Sequence, residues 1–243
     1  MASTTLDRRA STGGAPAPAT RPRRRRRWLR WVIAFLVLAL LGTAVWLLGF
    51  SSVFATQRVH VTGAKVLSTS QVRDAARIPL GLPLARQDLD AVAARVATLV
   101  PVESVTVDRA WPDQVDVRIT ERSPVLAVKD ATGYRLIDRS GVAFDSAVQV
   151  PTGIVLAEAQ LSDAALLVQI GIVARALPED VRARVSRITA SNPTELTVVL
   201  DSGVSVNWGT ADQSALKAEI VTALLERKPR SIDVSSPHNP AIR

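Results

Sequence analysis

Four carboxylates, Asp108, Asp113, Asp116 and Glu121, fall within fourteen residues of this 243-residue chain. Paired acids are the machinery of glycoside hydrolysis, where one protonates the leaving group and the other acts as base or nucleophile. These four instead fall on or beside an exposed hairpin in alternating positions, where charged side chains stay hydrated and form ion pairs. A Ser-His-Asp set would have to use His60 or His238, the only histidines, and nothing in their surroundings supports it. No serine sits in a nucleophile-elbow pattern. The absence of cysteine removes thiolate catalysis, Cys-ligated zinc, Fe–S chemistry and disulfides. No glycine-rich phosphate loop occurs. The residues therefore predict no catalytic, cofactor or metal site, and chemistry gives way to binding.

The element that must position the rest is Trp31–Phe50, WVIAFLVLALLGTAVWLLGF. It holds no charge and has the length a helix needs to cross the ~30 Å hydrocarbon core. Arg23, Arg24, Arg25, Arg26, Arg27 and Arg30 stand just before it, and basic residues hold their end of a span on the cytoplasmic side. Trp28, Trp31 and Trp46 lie near its ends, where amphipathic rings favour the interface. A cleaved signal peptide has a shorter apolar region of roughly 7–15 residues, so an uncleaved anchor is the better reading. Arg26-Arg27 makes only a chance twin-arginine match within a run of five.

Net charge is +8, but nine arginines and one aspartate lie in residues 1–50. The body beyond holds 21 basic and 21 acidic residues and is neutral. The excess is juxtamembrane, which suits anionic lipid, and no basic face accompanies it to suggest nucleic acid. Residues 1–30 read as a disordered basic cytoplasmic tail, 31–50 as the transmembrane helix, and the remainder as an extracytoplasmic body.

Within that body, Arg58–Val61 alternates as a strand. Ser68 and Gln71 then form a capping box, with Leu67 and Val72 as its hydrophobic staple. Asp88 caps a second helix over Leu89–Leu99, ended by Pro101. Strands around Val105–Val107 and Val115–Ile119 flank the loop Ala110-Trp111-Pro112-Asp113. The order β-α-α-β-β predicts a small α+β domain over residues 54–123. A second mixed, β-rich domain follows over 124–243. Its expected strands are Val125–Val128, Tyr134–Ile137, Val142–Phe144, Val185–Thr189, Glu195–Leu200, Val204–Asn207 and Ile232–Val234. Helices are expected from Ser162 to Leu177 and after an Asp212 cap.

Arg109-Ala110-Trp111-Pro112-Asp113, then Glu121-Arg122-Ser123-Pro124, resemble the bacterial cell-division family FtsQ, also called DivIB. The likeness extends through Val59–Gly63, Leu67-Ser68, Leu136–Gly141 and Ile232–Pro237. It implies a POTRA domain followed by an FtsQ-type β domain. It also implies a non-enzymatic, single-pass type II membrane scaffold at the division septum. Its implied partners are FtsB-type and FtsL-type single-span division proteins and the septal synthase pair FtsW and FtsI, with membrane lipid and no nucleic acid. The implied partner-binding region is Ile232, Asp233, Val234, Ser235, Ser236, His238 and Ile242, an open terminal edge that accepts a partner strand. Arg109, Trp111, Pro112, Glu121, Arg122 and Pro124 are expected at a domain junction. A POTRA-type polypeptide-binding chaperone or transport adaptor is the alternative function, and a cell-wall hydrolase a more distant one.

Overall fold

The computed structural model describes residues 24–243, with side chains from Trp28 onward. Of the predicted tail over residues 1–30, residues 1–23, Arg23 included, lie outside the described residues. Arg24, Arg25, Arg26 and Arg27, expected in that tail as part of the orientation signal, are described by backbone alone and belong to the helix. The apolar stretch is thus one helix, α1 (Arg24–Phe50), which also takes in Arg30. It begins seven residues before Trp31 because arginine is a good helix former and nothing interrupts the turn. Within its apolar span, Trp28–Phe50, eighteen consecutive residues reach a mean hydropathy of 2.5, and Phe35, Leu38 and Leu40 stand exposed. A helix apolar on all sides is suited to lipid rather than water.

Residues Ser52–Arg243 form a separate compact unit. Its first sheet contains β1 (Arg58–Thr62), β2 (Val102–Ala110) and β3 (Gln114–Glu121) in the order β1-β3-β2. β1 runs parallel to β3, and β2 antiparallel to it. Helices α2 (Thr69–Ala76) and α3 (Leu89–Ala97) supply the covering layer. Period-two alternation turns Val115, Val117 and Ile119 inward, and helical spacing aims Val72, Ala76, Val92 and Val96 at them.

The local signals act as their chemistry requires. The Ser68 hydroxyl accepts from Gln71 N–H while Gln71 Oε1 accepts from Ser68 N–H, which closes the capping box. Asp88 accepts from Ala91 N–H at the start of α3. Gly63 turns the chain at φ +87°, where a Cβ would collide with the Ile119 carbonyl oxygen. Only glycine fits that approach.

The second sheet has nine strands. They are β4 (Leu126–Asp130), β5 (Gly133–Ile137), β6 (Ala143–Ala147), β7 (Val155–Glu158), β8 (Val185–Ala190), β9 (Leu196–Leu200), β10 (Ser205–Gly209), β11 (Ser231–Asp233) and β12 (Ala241–Ile242). Their spatial order is β12-β11-β10-β9-β8-β7-β4-β5-β6. Three helices complete the domain: α4 (Ala164–Ala176), the short α5 (Glu179–Arg182) and α6 (Ser214–Leu225). β7 and β8 pair in parallel, as do β10 and β11, so α4–α5 and α6 serve as crossovers. The core joins Leu126, Ile137, Leu167, Ile170, Ile188, Val206, Trp208 and Ile232. The protein is thus mixed α+β, with an apolar amino-terminal helix followed by a β-α-α-β-β domain and a β-rich domain.

Four elements differ from expectation. β7, α5 and β12 join the predicted set. Asp212 does not cap α6; Gln213 occupies that position at φ +53° without a side-chain bond, and Asp212 accepts from the Thr210 hydroxyl. The entry to α6 is held instead by Ser214, whose hydroxyl donates to Ala211 O and accepts from Trp208 Nε1.

Candidate functional site: the domain junction and the carboxy-terminal edge

At the junction, consecutive residues serve opposite sides. Glu121, at the end of β3, turns into the first domain, where its carboxylate accepts the backbone N–H groups of Lys65, Val66 and Leu67. Burial opposes its ionisation, but those three donors outweigh it and hold its pKa below the usual carboxylate range. Arg122 faces the second domain. Its guanidinium bridges the Val100 carbonyl oxygen and the buried carboxylate of Asp138. Asp138 also accepts from Ser140 N–H, the Ser140 hydroxyl and Val142 N–H, at 2.8–2.9 Å. Burial raises the Asp138 pKa, and this shell of donors more than reverses the effect. Arg139 reaches back to Glu103 on β2, so two ion pairs cross the junction. Gly141, at φ +78°, passes so near Ala164 O that a Cβ would lie 2.5 Å from it, so the Asp138–Gly141 turn is seated against α4.

The other junction residues lie at the far end of the β2–β3 hairpin. Arg109 donates to Leu84 O and Gln87 O, tying the strand to the loop before α3. Trp111 is 50% exposed and packs edge-on against Phe54, with ring centroids 5.8 Å apart. The Trp111–Pro112 peptide is cis. The structure therefore separates two groups that the sequence placed in one motif. Glu121 and Arg122 are at the junction, whereas Arg109, Trp111 and Pro112 shape the opposite tip. Pro124 lies between β3 and β4, in the connection itself.

The four carboxylates first considered for acid–base chemistry do not converge on a cleft. Asp108 pairs with Arg118, Asp113 with Arg58, and Asp116 accepts from Gln114. Glu121 is engaged as described. His60 is exposed on β1 and His238 is exposed after β11. Among the described residues no group of three or more His, Asp or Glu is placed to hold a metal.

The carboxy-terminal region is less open than the sequence suggests. Ile232 and Val234 are buried core residues, and Val234 N–H donates to Asn207 O. Asp233 accepts from Asn207 and from the Ser235 hydroxyl and N–H. The outer side of β11 is already taken. Ser236 to Pro240 reverse the chain, with Asn239 N–H on Ser236 O, and β12 returns antiparallel with Ile242 opposite Ile232. The expected bare edge at Ile232–Val234 is thus covered by the chain's own following residues. The physical reason is the pair of prolines, Pro237 and Pro240, whose restricted backbone favours a reversal.

The free edge moves outward to β12. Ser231 and Arg243 exchange N–H···O bonds of 2.9 Å in both directions, which makes them a hydrogen-bonded pair. The alternation of an antiparallel ladder then makes Ile232 and Ile242 a non-hydrogen-bonded pair, so the N–H and C=O of Ile242 point away from β11. Beside this edge lies a shallow depression of about 340 Å³, lined by Thr197, Ser205, Asn207, Asp233 and Arg243. Ser235 and His238 lie at or near the surface with Ser236, and Ile242 is 41% exposed.

Sequence reasoning missed Lys217, which is 1% exposed within α6. Its Nζ donates to Trp208 O and Thr210 O, and burial pushes its pKa down. The signal was a lysine on the Ala218/Val221 side of an otherwise apolar helix, a place where lysine needs partners.

Residues 54–122 match the POTRA domain of FtsQ type, and residues 126–235 match the carboxy-terminal domain of cell division protein FtsQ/DivIB. Cell division protein FtsQ of Streptomyces collinus is 34% identical across 97% of this chain and 95% of its own length. That of Streptomyces bingchenggensis is 36% identical over 90% of this chain and 86% of its own, and that of Mycolicibacterium smegmatis 33% over 97% and 72%. The apolar helix and these relatives together fit a single-pass membrane protein at the division site. With both body domains matched in order and relatives similar along nearly the whole length, the chain belongs to the FtsQ/DivIB family of cell division proteins.

Proposed function

We propose that this chain is a non-enzymatic scaffold of the divisome that recruits partners by adding a strand to its second sheet. Its amino terminus is cytoplasmic, as the arginine run from Arg23 to Arg27 favours, and its body is extracytoplasmic. The partners are FtsB-type and FtsL-type single-span proteins, through which the chain bears on the FtsW/FtsI synthase pair and on septal wall synthesis. The observation that carries the reading is the outward N–H and C=O of Ile242 at the end of a nine-stranded sheet. Main-chain pairing there supplies affinity, and alternate side chains supply selectivity. The opposite edge is less suitable: on β6, Asp145 carries a charge and bonds its own neighbour's N–H, Ser146, a feature that discourages strand addition.

A photo-crosslinking residue at position 242 in cells tests this, with one at Val148, 86% exposed beside β6, as control. Capture of one or two single-span division proteins from position 242 alone is expected. Capture of many unrelated unfolded chains would favour a polypeptide-binding chaperone. Equal capture from both positions would refute the edge.

A further inference from the structure

One end of the first domain combines exposed apolar groups with cations in a way that the strand-addition reading does not use. Val53 is 65% exposed, Leu80 64% and Trp111 50%. They belong to three segments that the backbone ties together. Trp111 packs on Phe54, and Gln57 N–H donates to Asp113 O at 2.8 Å. Thr56 exchanges bonds with the next segment, its N–H to Leu82 O and its O from Gly81 N–H, both at 2.9 Å. Next to that loop, Arg77 and Arg86 line an open cleft of about 490 Å³ with Pro79 and Leu82. On the same cleft, Arg95 donates to Ala76 O and Asp88 caps α3, which fixes its walls.

We infer that this end is a lipid-interface foot, in which Trp111 and Leu80 enter the headgroup layer and Arg77 and Arg86 engage lipid phosphates. The inference rests on α1 spanning the bilayer. Phe54 follows Phe50 by four residues, which reach at most ~14 Å when extended. A segment so tethered meets the bilayer surface at high effective concentration, so weak contacts suffice. Scattered surface leucines need no explanation, but an apolar cluster carrying tryptophan and flanked by guanidinium groups matches the chemistry of an anionic membrane interface. Guanidinium pairs with phosphate in a bidentate fork, which suits Arg77 and Arg86 to a lipid headgroup.

The chain has no cysteine, so a single introduced one carries a unique nitroxide. The full chain is reconstituted in nanodiscs of phosphatidylglycerol and phosphatidylcholine, labelled in turn at Leu38→Cys, Leu80→Cys and Val148→Cys. Accessibility to oxygen and to a water-soluble nickel chelate is then measured. The label at 80 is expected to be at least threefold less accessible to nickel than the label at 148, and R77Q/R86Q in that background is expected to reverse most of the difference. A label at 80 as accessible as that at 148, with the label at 38 shielded, overturns the foot alone. An accessible label at 38 overturns the anchor and the foot with it. Shielding at 80 that ignores both arginines overturns their assignment to phosphate.

Discussion

Replacing Asp138 with Ala removes the acceptor on which the second side of the junction converges. The carboxylate is 1% exposed and accepts two backbone N–H groups, one hydroxyl and the Arg122 guanidinium. Hydrogen bonds to a charged group contribute roughly 1.5–3 kcal/mol each, and removing one partner of a buried ion pair costs about 3–5 kcal/mol. The contributions overlap, so the expected loss is about 3–5 kcal/mol rather than their sum. Arg122→Met should cost less, about 1–3 kcal/mol, because Asp138 keeps three donors and Arg122 is partly solvated. Urea unfolding of the full chain in nanodiscs, followed by Trp208 fluorescence in a background lacking the other tryptophans, measures both. The double variant should cost less than the sum of the singles, since the two groups share a bond. A loss below ~1 kcal/mol for Asp138→Ala, or strict additivity, would refute the view that the turn at Asp138–Gly141 is held by this carboxylate.

Gly63→Ala should destabilise the first domain by about 2–4 kcal/mol, because a Cβ at φ +87° meets Ile119 O; hydrogen exchange of β3 amides reads the effect. Lys217→Met keeps the aliphatic length but leaves Trp208 O and Thr210 O without their donor, a cost of about 1–3 kcal/mol visible in the same unfolding assay. The folded pKa values of Glu121, Asp138 and Asp233 lie below the usual carboxylate range. Their contribution is therefore fully present above that range and is lost as pH falls through the depressed values, so unfolding midpoints should decline on acidification below about pH 4.5. The Asp138→Ala variant should decline less steeply over that interval, and an identical slope would count against the assignment.

Local rules carried much of the fold from the sequence. The Ser68/Gln71 box, the Asp88 cap and the period-two pattern of β3 each depend on neighbours a few residues away, so they could be read directly. The pairing of Arg122 with Asp138 could not, since the two are sixteen residues apart and only the fold of β4 and β5 brings them together. β7 was hidden because it is only four residues long and its first three, Val155, Leu156 and Ala157, are all apolar, so no period-two pattern registers. β12 was hidden for a stronger reason: two residues are too few to show a period-two pattern, and Ala241–Ile242 pairs because the reversal through Pro237 and Pro240 directs the chain back. That oversight moved the candidate edge outward from Val234 to Ile242. It also decides where proline is a diagnostic substitution. Proline at 234 would break the bond to Asn207 O and disturb the core, so loss of binding there would report unfolding of the strand.

Proline at 242 isolates the intended group. The Ile242 N–H faces outward, while Arg243 N–H continues to bond Ser231 O, so Ile242→Pro removes the edge donor and leaves the internal ladder in place. Affinity of the full chain for the extracytoplasmic segment of an FtsB-type partner, measured for Ile242→Pro against Ile242→Ala, tests strand addition most directly. A loss of at least tenfold for proline with alanine within threefold of the unaltered chain is the predicted result, and equal affinities for the two variants would contradict it.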